Sequence, residues 1–307
     1  MSSYDVMGTP QHSTLIASRA RIHRLIALLA LLLLPMGKSE AANEHALCRE
    51  AFLQIVSPDV LTMDQCKAVG RQTMEAWKFD VNQMHWANST DMETPLTLRL
   101  LSVDRMKVEH AGVLGYAKGR DLFVVSTSVL DDPFANGTLA HGLAHIQAKR
   151  ALGRLSEKHL VPRYFIEGHG NILGRAYRDH LRITNHDYDA RKARQIMKLS
   201  ADEARTILTD DAYGTTDKKE EDKMESMGIF FVEYMRVRHH RAGIPDVVPR
   251  MARVFELVGG GKPYESAFRE QFGASVDGIV SEISAFMRRT TSDPAERLKG
   301  TRYEEFR

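Results

Sequence analysis

Two cysteines in 307 residues are too few for a disulfide-stapled scaffold, or for a zinc site built from thiolates alone. Charge of one sign is also lacking. Lys and Arg number 42 against 40 Asp and Glu, a net charge of +2, which argues against the strongly basic domain of a dedicated nucleic-acid binder. No stretch approaches the roughly 20 apolar residues of a membrane-spanning helix. No repeat at a solenoid period is present. Gly259-Gly260-Gly261 lacks the Lys-Ser/Thr ending of a phosphate loop and reads as a helix stop. No Gly-x-Ser-x-Gly occurs, and Cys48 and Cys66 carry no motif of a catalytic thiol. What remains is ordinary globular composition, 43% apolar and 27% charged, long enough for a sizeable core without metal or disulfide staples.

The N-terminus has the order of a secretory leader. Arg19, Arg21 and Arg24 precede the apolar run Leu25–Leu34, and Ser39-Glu40-Ala41 is a small-x-small cleavage site. The apolar run is about half the length that an anchor would need, although an uncleaved anchor is the alternative. Cleavage after Ala41 removes four basic and two acidic residues, which leaves a neutral mature chain. Export to a periplasm or to the outside is the expectation, with no integral membrane segment afterwards. In an oxidising compartment Cys48 and Cys66 most simply form one disulfide. It would tie a helix around 44–55 to a helix around Met63–Phe79; two buried thiols are the alternative.

Alternating Leu96, Leu98 and Leu100 predict a strand over Pro95–Val103, and Val113–Tyr116 a short second one. Leu122–Val129 is a β-branched run, the strongest strand signal. Asp132-Pro133 caps and starts a helix to about Leu152. Helical spacing then predicts Tyr164–His180, Asp187–Lys198, Lys223–His240, Asp246–Val258, Tyr264–Phe272 and Val276–Met287. Asp217–Lys223 reads as a solvated loop and Arg289–Arg307 as a loose polar tail. The fold class is α+β, with a small N-terminal sheet and a mainly helical C-terminal half.

Thr138-Leu139-Ala140-His141-Gly142-Leu143-Ala144-His145 places two histidines at i and i+4, on one helix face. Two neutral imidazoles so placed can bind one Zn²⁺. With 13 histidines in the chain, roughly one such pair in two chains of this length arises by chance, so context must decide.

That context resembles the gluzincin metallopeptidases. Leu122–Val129, the helix with His141 and His145, and the later Tyr164-Phe165-Ile166-Glu167-Gly168 are similar to that family's strand, HExxH helix and downstream Glu-Gly motif. Gly228–Tyr234 and the segments Ala267–Gly273 and Val276–Phe286 resemble its later helices. The resemblance implies a zincin-like fold over residues 42–289, with zinc held by His141, His145 and Glu167. It also implies a peptide or protein ligand in the cleft.

One residue departs from the pattern. The family's general-base glutamate is here Gly142. Loss of such a base removes about 10²–10⁴-fold of rate, so a zinc-binding but degenerate peptidase is the leading reading. An active metallohydrolase with a non-standard base and a metal-free structural protein are the alternatives. His169, Tyr213 and Tyr234 are possible auxiliary groups, although His169 reads more readily as a surface histidine or one that supports a ligand, and each tyrosine more readily as a packing residue. Gly142→Glu is expected to restore about 10²-fold of hydrolysis if the site is otherwise intact. A tetrahedral zinc also requires the three ligand atoms to converge within about 4 Å. Seven basic residues between Arg175 and Lys198, against three acids, suit an anionic partner or a solvated helix face.

Overall fold

The computed structural model describes residues 45–59, 61–86, 94–109, 113–209, 218–243 and 246–307. The leader and its cleavage site lie outside the described residues, as does Tyr213. The chain is α+β, as expected.

Its sheet has five strands in the order β1-β2-β3-β5-β4. They are β1 (His45–Glu50), β2 (Leu53–Ser57), β3 (Leu96–Leu101), β4 (Gly115–Lys118) and β5 (Leu122–Ser126). β2, β3 and β5 run parallel, and β1 and β4 close the two edges antiparallel. Leu96, Leu98 and Leu100 point to one face, with Phe123 and Val125 of β5. That face is covered by α1 (Met63–Met84) and by α3 (Asn136–Leu152), which follows β5. The opposite face carries Leu101 and Val124 under the short α2 (Val103–Glu109). α1 is started by a reciprocal cap, in which Gln65 N donates to Thr62 Oγ1 and Thr62 N to Gln65 Oε1.

The helix expected around 44–55 is instead the β1–β2 hairpin. Its apolar residues also fit a helical period, but Leu53 and Ile55 are buried between β1 and β3. Pairing with two neighbouring strands overrides a weak local preference. The Cys48–Cys66 disulfide is present, with Cα atoms 6.4 Å apart. It therefore joins a strand to a helix rather than two helices.

The C-terminal half contains α4 (Arg163–His180), α5 (His186–Lys198), α6 (Ala201–Thr209) and α7 (Lys218–Arg241). It closes with α8 (Val247–Gly259), α9 (Tyr264–Phe272) and α10 (Val276–Arg289). Phe165 of α4 meets Phe231, Phe255 and Phe268 edge-on, which ties α4 to α7, α8 and α9.

Two polar segments are more ordered than their composition suggests. Lys218–Lys223, expected as loop, forms the first turns of α7. Glu221 there meets Arg163 at 2.9 Å, and Lys223 meets Glu203 at 3.0 Å. Residues 290–307 are docked rather than loose. Arg297, 4% exposed, donates to Ile196 O, Met197 O and Leu199 O at the end of α5, and to Met287 O and Thr290 Oγ1 at the end of α10. One guanidinium thus satisfies carbonyls that two helix ends leave open.

Candidate metal centre

α3 and α4 pack so closely that their backbones nearly touch. A Cβ on Gly174 would lie 2.7 Å from Gly137 O, and one on Gly170 would lie 3.0–3.1 Å from the rings of His145 and His141. Gly170 therefore leaves the hollow in which both imidazoles sit. On its other side α4 meets α7 at Gly168 and Gly228, where a Cβ on either would fall within 2.5 Å of the other helix's backbone or its carbonyl oxygens. The three helices hold the site with little freedom to splay.

The ligand atoms expected from the sequence converge. His141 Nε2 and His145 Nε2 are 2.8 Å apart, and each lies 3.5 Å from Glu167 Oε2. Ligand atoms about 2.0–2.1 Å from one tetrahedral ion are about 3.3 Å apart, so the trio has the right span. His141, His145 and Glu167 could hold a metal ion. The donor set is two nitrogens and one oxygen, which suits a borderline cation better than a hard one.

Electrostatics favour the ligating forms. Burial lowers the pKa of His145, against the opposing pull of Glu167, so its ring is held towards the neutral form. Burial alone would raise the Glu167 carboxyl, but His145 and His141 outweigh it and hold that pKa well below the ordinary value. Arg163, one turn earlier on α4, lies 3.8 Å from Glu167 Oε1 and leaves Oε2 facing the imidazoles. His145 Nδ1 is buried with no hydrogen-bond partner. Its contacts within the described residues are thus all at Nε2, and a metal bound there would place the proton on Nδ1.

No known family model matches the chain. No curated protein matches it either. The chemistry must be read from the site itself.

Gly142 is the position that matters most. It is buried, and a Cβ there would fall 2.2 Å from Cε2 and Cζ of Phe123. The ring occupies the space into which any side chain at 142 would start. A glutamate would have to displace a fully buried phenylalanine, so the simple restoration by Gly142→Glu meets a steric obstacle that the sequence does not reveal.

Neither His169 nor Tyr234 joins the trio. His169 is fully buried, 3.3 Å from Met84 Sδ and edge-on to Trp86 and Phe255. Burial is the main cause that pushes its pKa well below the ordinary value. It is a core histidine, because two residues on from Glu167 a helix turns by more than half a circle. Tyr234 packs between Phe230 and Phe286. Sequence reasoning missed Arg163, whose i, i+4 spacing to Glu167 was a usable signal. It also missed Phe123 and Gly170, for which no local signal exists.

A cleft opens beside His141, with a volume of about 310 Å³. One wall is Val113, Leu114 and Gly115, at the start of the edge strand β4. Leu114 O accepts from Ser126 N. By antiparallel alternation Gly115 and Ala117 then turn their N–H and C=O away from β5. Lys149 Nζ donates to Ala117 O at 3.0 Å, while Gly115 lines the cleft.

Proposed function

We propose that the chain is an exported, zincin-like protein that binds one zinc ion through His141, His145 and Glu167. It holds peptide in the adjoining cleft but does not hydrolyse it efficiently. The observation that carries this reading is the convergence of two imidazole nitrogens and one carboxylate oxygen beside a glycine walled off by Phe123. Bound zinc would polarise a carbonyl and lower the pKa of a coordinated water toward about 7.

The residues of the chain supply the rest. Gly170 makes room for the rings, and Arg163 orients Glu167. Gly115, whose backbone groups turn away from β5, offers an edge to which an extended peptide can add as a further strand. What is missing is a carboxylate at position 142 to take the proton from water and pass it to the leaving amine. Glu167 cannot do so while it serves as a ligand. Glu221, joined to the site through Arg163, is held by that guanidinium at 2.9 Å. The Cys48–Cys66 disulfide supports an exported location, and no helix among the described residues is long and apolar enough to cross a membrane.

The test is metal content together with peptidase activity. Purified protein should take up one equivalent of zinc and His145→Ala none, by elemental analysis. Failure of the natural protein to bind zinc would refute the metal reading. Efficient peptide hydrolysis that is lost on chelation and in His145→Ala would refute the impaired reading.

A further inference from the structure

The cleft beside His141 carries a charge pattern that metal binding does not use. From His141 and Asn171 it extends to Arg175 and Arg178 of α4, and to Arg191 and Lys192 of α5. Arg175, Arg178 and Lys192 are 8%, 4% and 2% exposed. Buried cations need partners, and here the partners are few. Arg175 and Arg178 share a single oxygen, Asp189 Oδ1, at 3.3 and 3.2 Å. Lys192 meets Glu225 at 2.8 Å, and Asp222 is the other acid on the wall. Arg191 has no carboxylate partner among the described residues. Its guanidinium instead lies 5.2 Å from the Tyr188 ring centroid. Arg175 donates from Nη2 to Arg302 O at 2.9 Å, while its buried Nε and Nη1 meet Asp179 at 4.0 Å and Asp189 at 3.3 Å as ion pairs without hydrogen-bond geometry.

The guanidiniums are held in place. Arg178 lies over Phe134 and Tyr188, and Arg175 over Tyr303 at 4.4 Å. Planar forks fixed by stacking, with two Arg175 donors outside hydrogen-bond geometry, are organised for a planar anion. Arg175, Arg178 and Lys192 each have a carboxylate beside them (Asp179 and Asp189, Asp189, and Glu225), and Arg191 alone of the four has none among the described residues, so the cleft has one cation to offer, which suits a carboxylate rather than a dianionic phosphate.

Resting on the proposed peptide-holding function, we infer that this end of the cleft is a subsite for a carboxylate carried by the bound peptide. Arg175 lies eight residues beyond Glu167, about 12 Å along α4. An extended peptide covers about 3.3 Å per residue, so the carboxylate belongs two to four residues from the backbone group at the metal trio. It belongs either to an acidic side chain or to the peptide's own C-terminus.

Three fluorescein-labelled octapeptides of Ala, Leu and Gly separate these sources by fluorescence anisotropy on the intact protein. One carries a Glu and an amidated end, one a Gln in its place and an amidated end, and one the Gln and a free end. The Glu peptide, or the free-end peptide, should bind about tenfold or more tightly than the neutral one. Whichever gains identifies the source. Arg191→Gln, an exposed change, should remove the preference while zinc uptake stays at the level of the natural protein. Equal binding of all three peptides, binding of none, or a preference that survives Arg191→Gln would overturn the inference. Zinc content is read separately. A carboxylate preference that depends on Arg191 in a protein unable to bind zinc would keep this subsite and refute only the metal assignment.

Discussion

Gly142→Ala sets two physical effects against each other. In the interior of a helix, glycine to alanine is worth about 1 kcal/mol in favour of the mutant. Packing predicts the reverse. The new methyl would lie 2.2 Å from two carbons of the Phe123 ring, against roughly 3.5–4.0 Å for ordinary carbon contacts. The ring has little room to retreat. Phe123 is fully buried, and the backbone of Gly115 lies so near that a Cβ there would sit 3.2 Å from the same two ring atoms. Overpacking a filled core by a methyl costs about 1–3 kcal/mol, and an overlap of this size belongs at the upper end. The net expectation is a loss of about 2 kcal/mol. Phe123→Leu removes the colliding atoms, so the double mutant should be more stable than the two single effects predict, by about 1–2 kcal/mol. Urea unfolding followed by far-UV circular dichroism on the four proteins measures both quantities. A gain of stability in Gly142→Ala, or additivity within about 0.5 kcal/mol, would refute the steric account. The same contact governs catalysis. Gly142→Glu alone should lose stability and show no rise in hydrolysis, contrary to what the motif suggests by itself.

Two further outcomes follow from buried polar groups. Arg297→Ala strands carbonyls at the ends of α5 and α10 that the guanidinium now serves; it should cost about 3 kcal/mol or more, and an unchanged urea midpoint would show the C-terminal segment to be dispensable. Asp80 is fully buried, with no hydrogen-bond partner for either carboxylate oxygen among the described residues, and burial raises its pKa well above the ordinary 3.8. A folded-state pKa above the unfolded one gives stability that is full below about pH 4 and falls as pH rises, by about 1.4 kcal/mol per unit until the folded pKa is passed. Asp80→Asn should therefore be more stable than the natural protein at pH 8, with the difference shrinking toward pH 4; parallel stability curves would refute this.

Legibility followed the range of the interactions. The pair His141 and His145 is readable because one helical turn is a local relation. Leu96, Leu98 and Leu100 reveal β3 because alternation is local too, and Tyr264–Phe272 has the bounds its spacing predicts. The 45–57 hairpin was not readable, because its pattern suits a helix until neighbouring strands are present to pair with it. The C-terminal segment misled in the same way. Arg297 looks like a solvated charge until a helix end about a hundred residues earlier supplies three acceptors, beside the two from the nearby end of α10.

The sequence by itself determined the α+β class, most of the helices, the disulfide partners and the identity of three candidate ligands. Periodicity, residue type and a count of two cysteines suffice for these, except for Glu167, which only the resemblance to the gluzincins implied. Tertiary structure alone decided that His141, His145 and Glu167 meet within 3.5 Å, because their meeting depends on how closely glycines let α3 and α4 approach. It alone set Phe123 against Gly142 and buried His169 in the core. It also gathered cations from two helices into one cleft, leaving Arg191 without a carboxylate partner among the described residues. Each of these is a contact between segments that no spacing along the chain encodes.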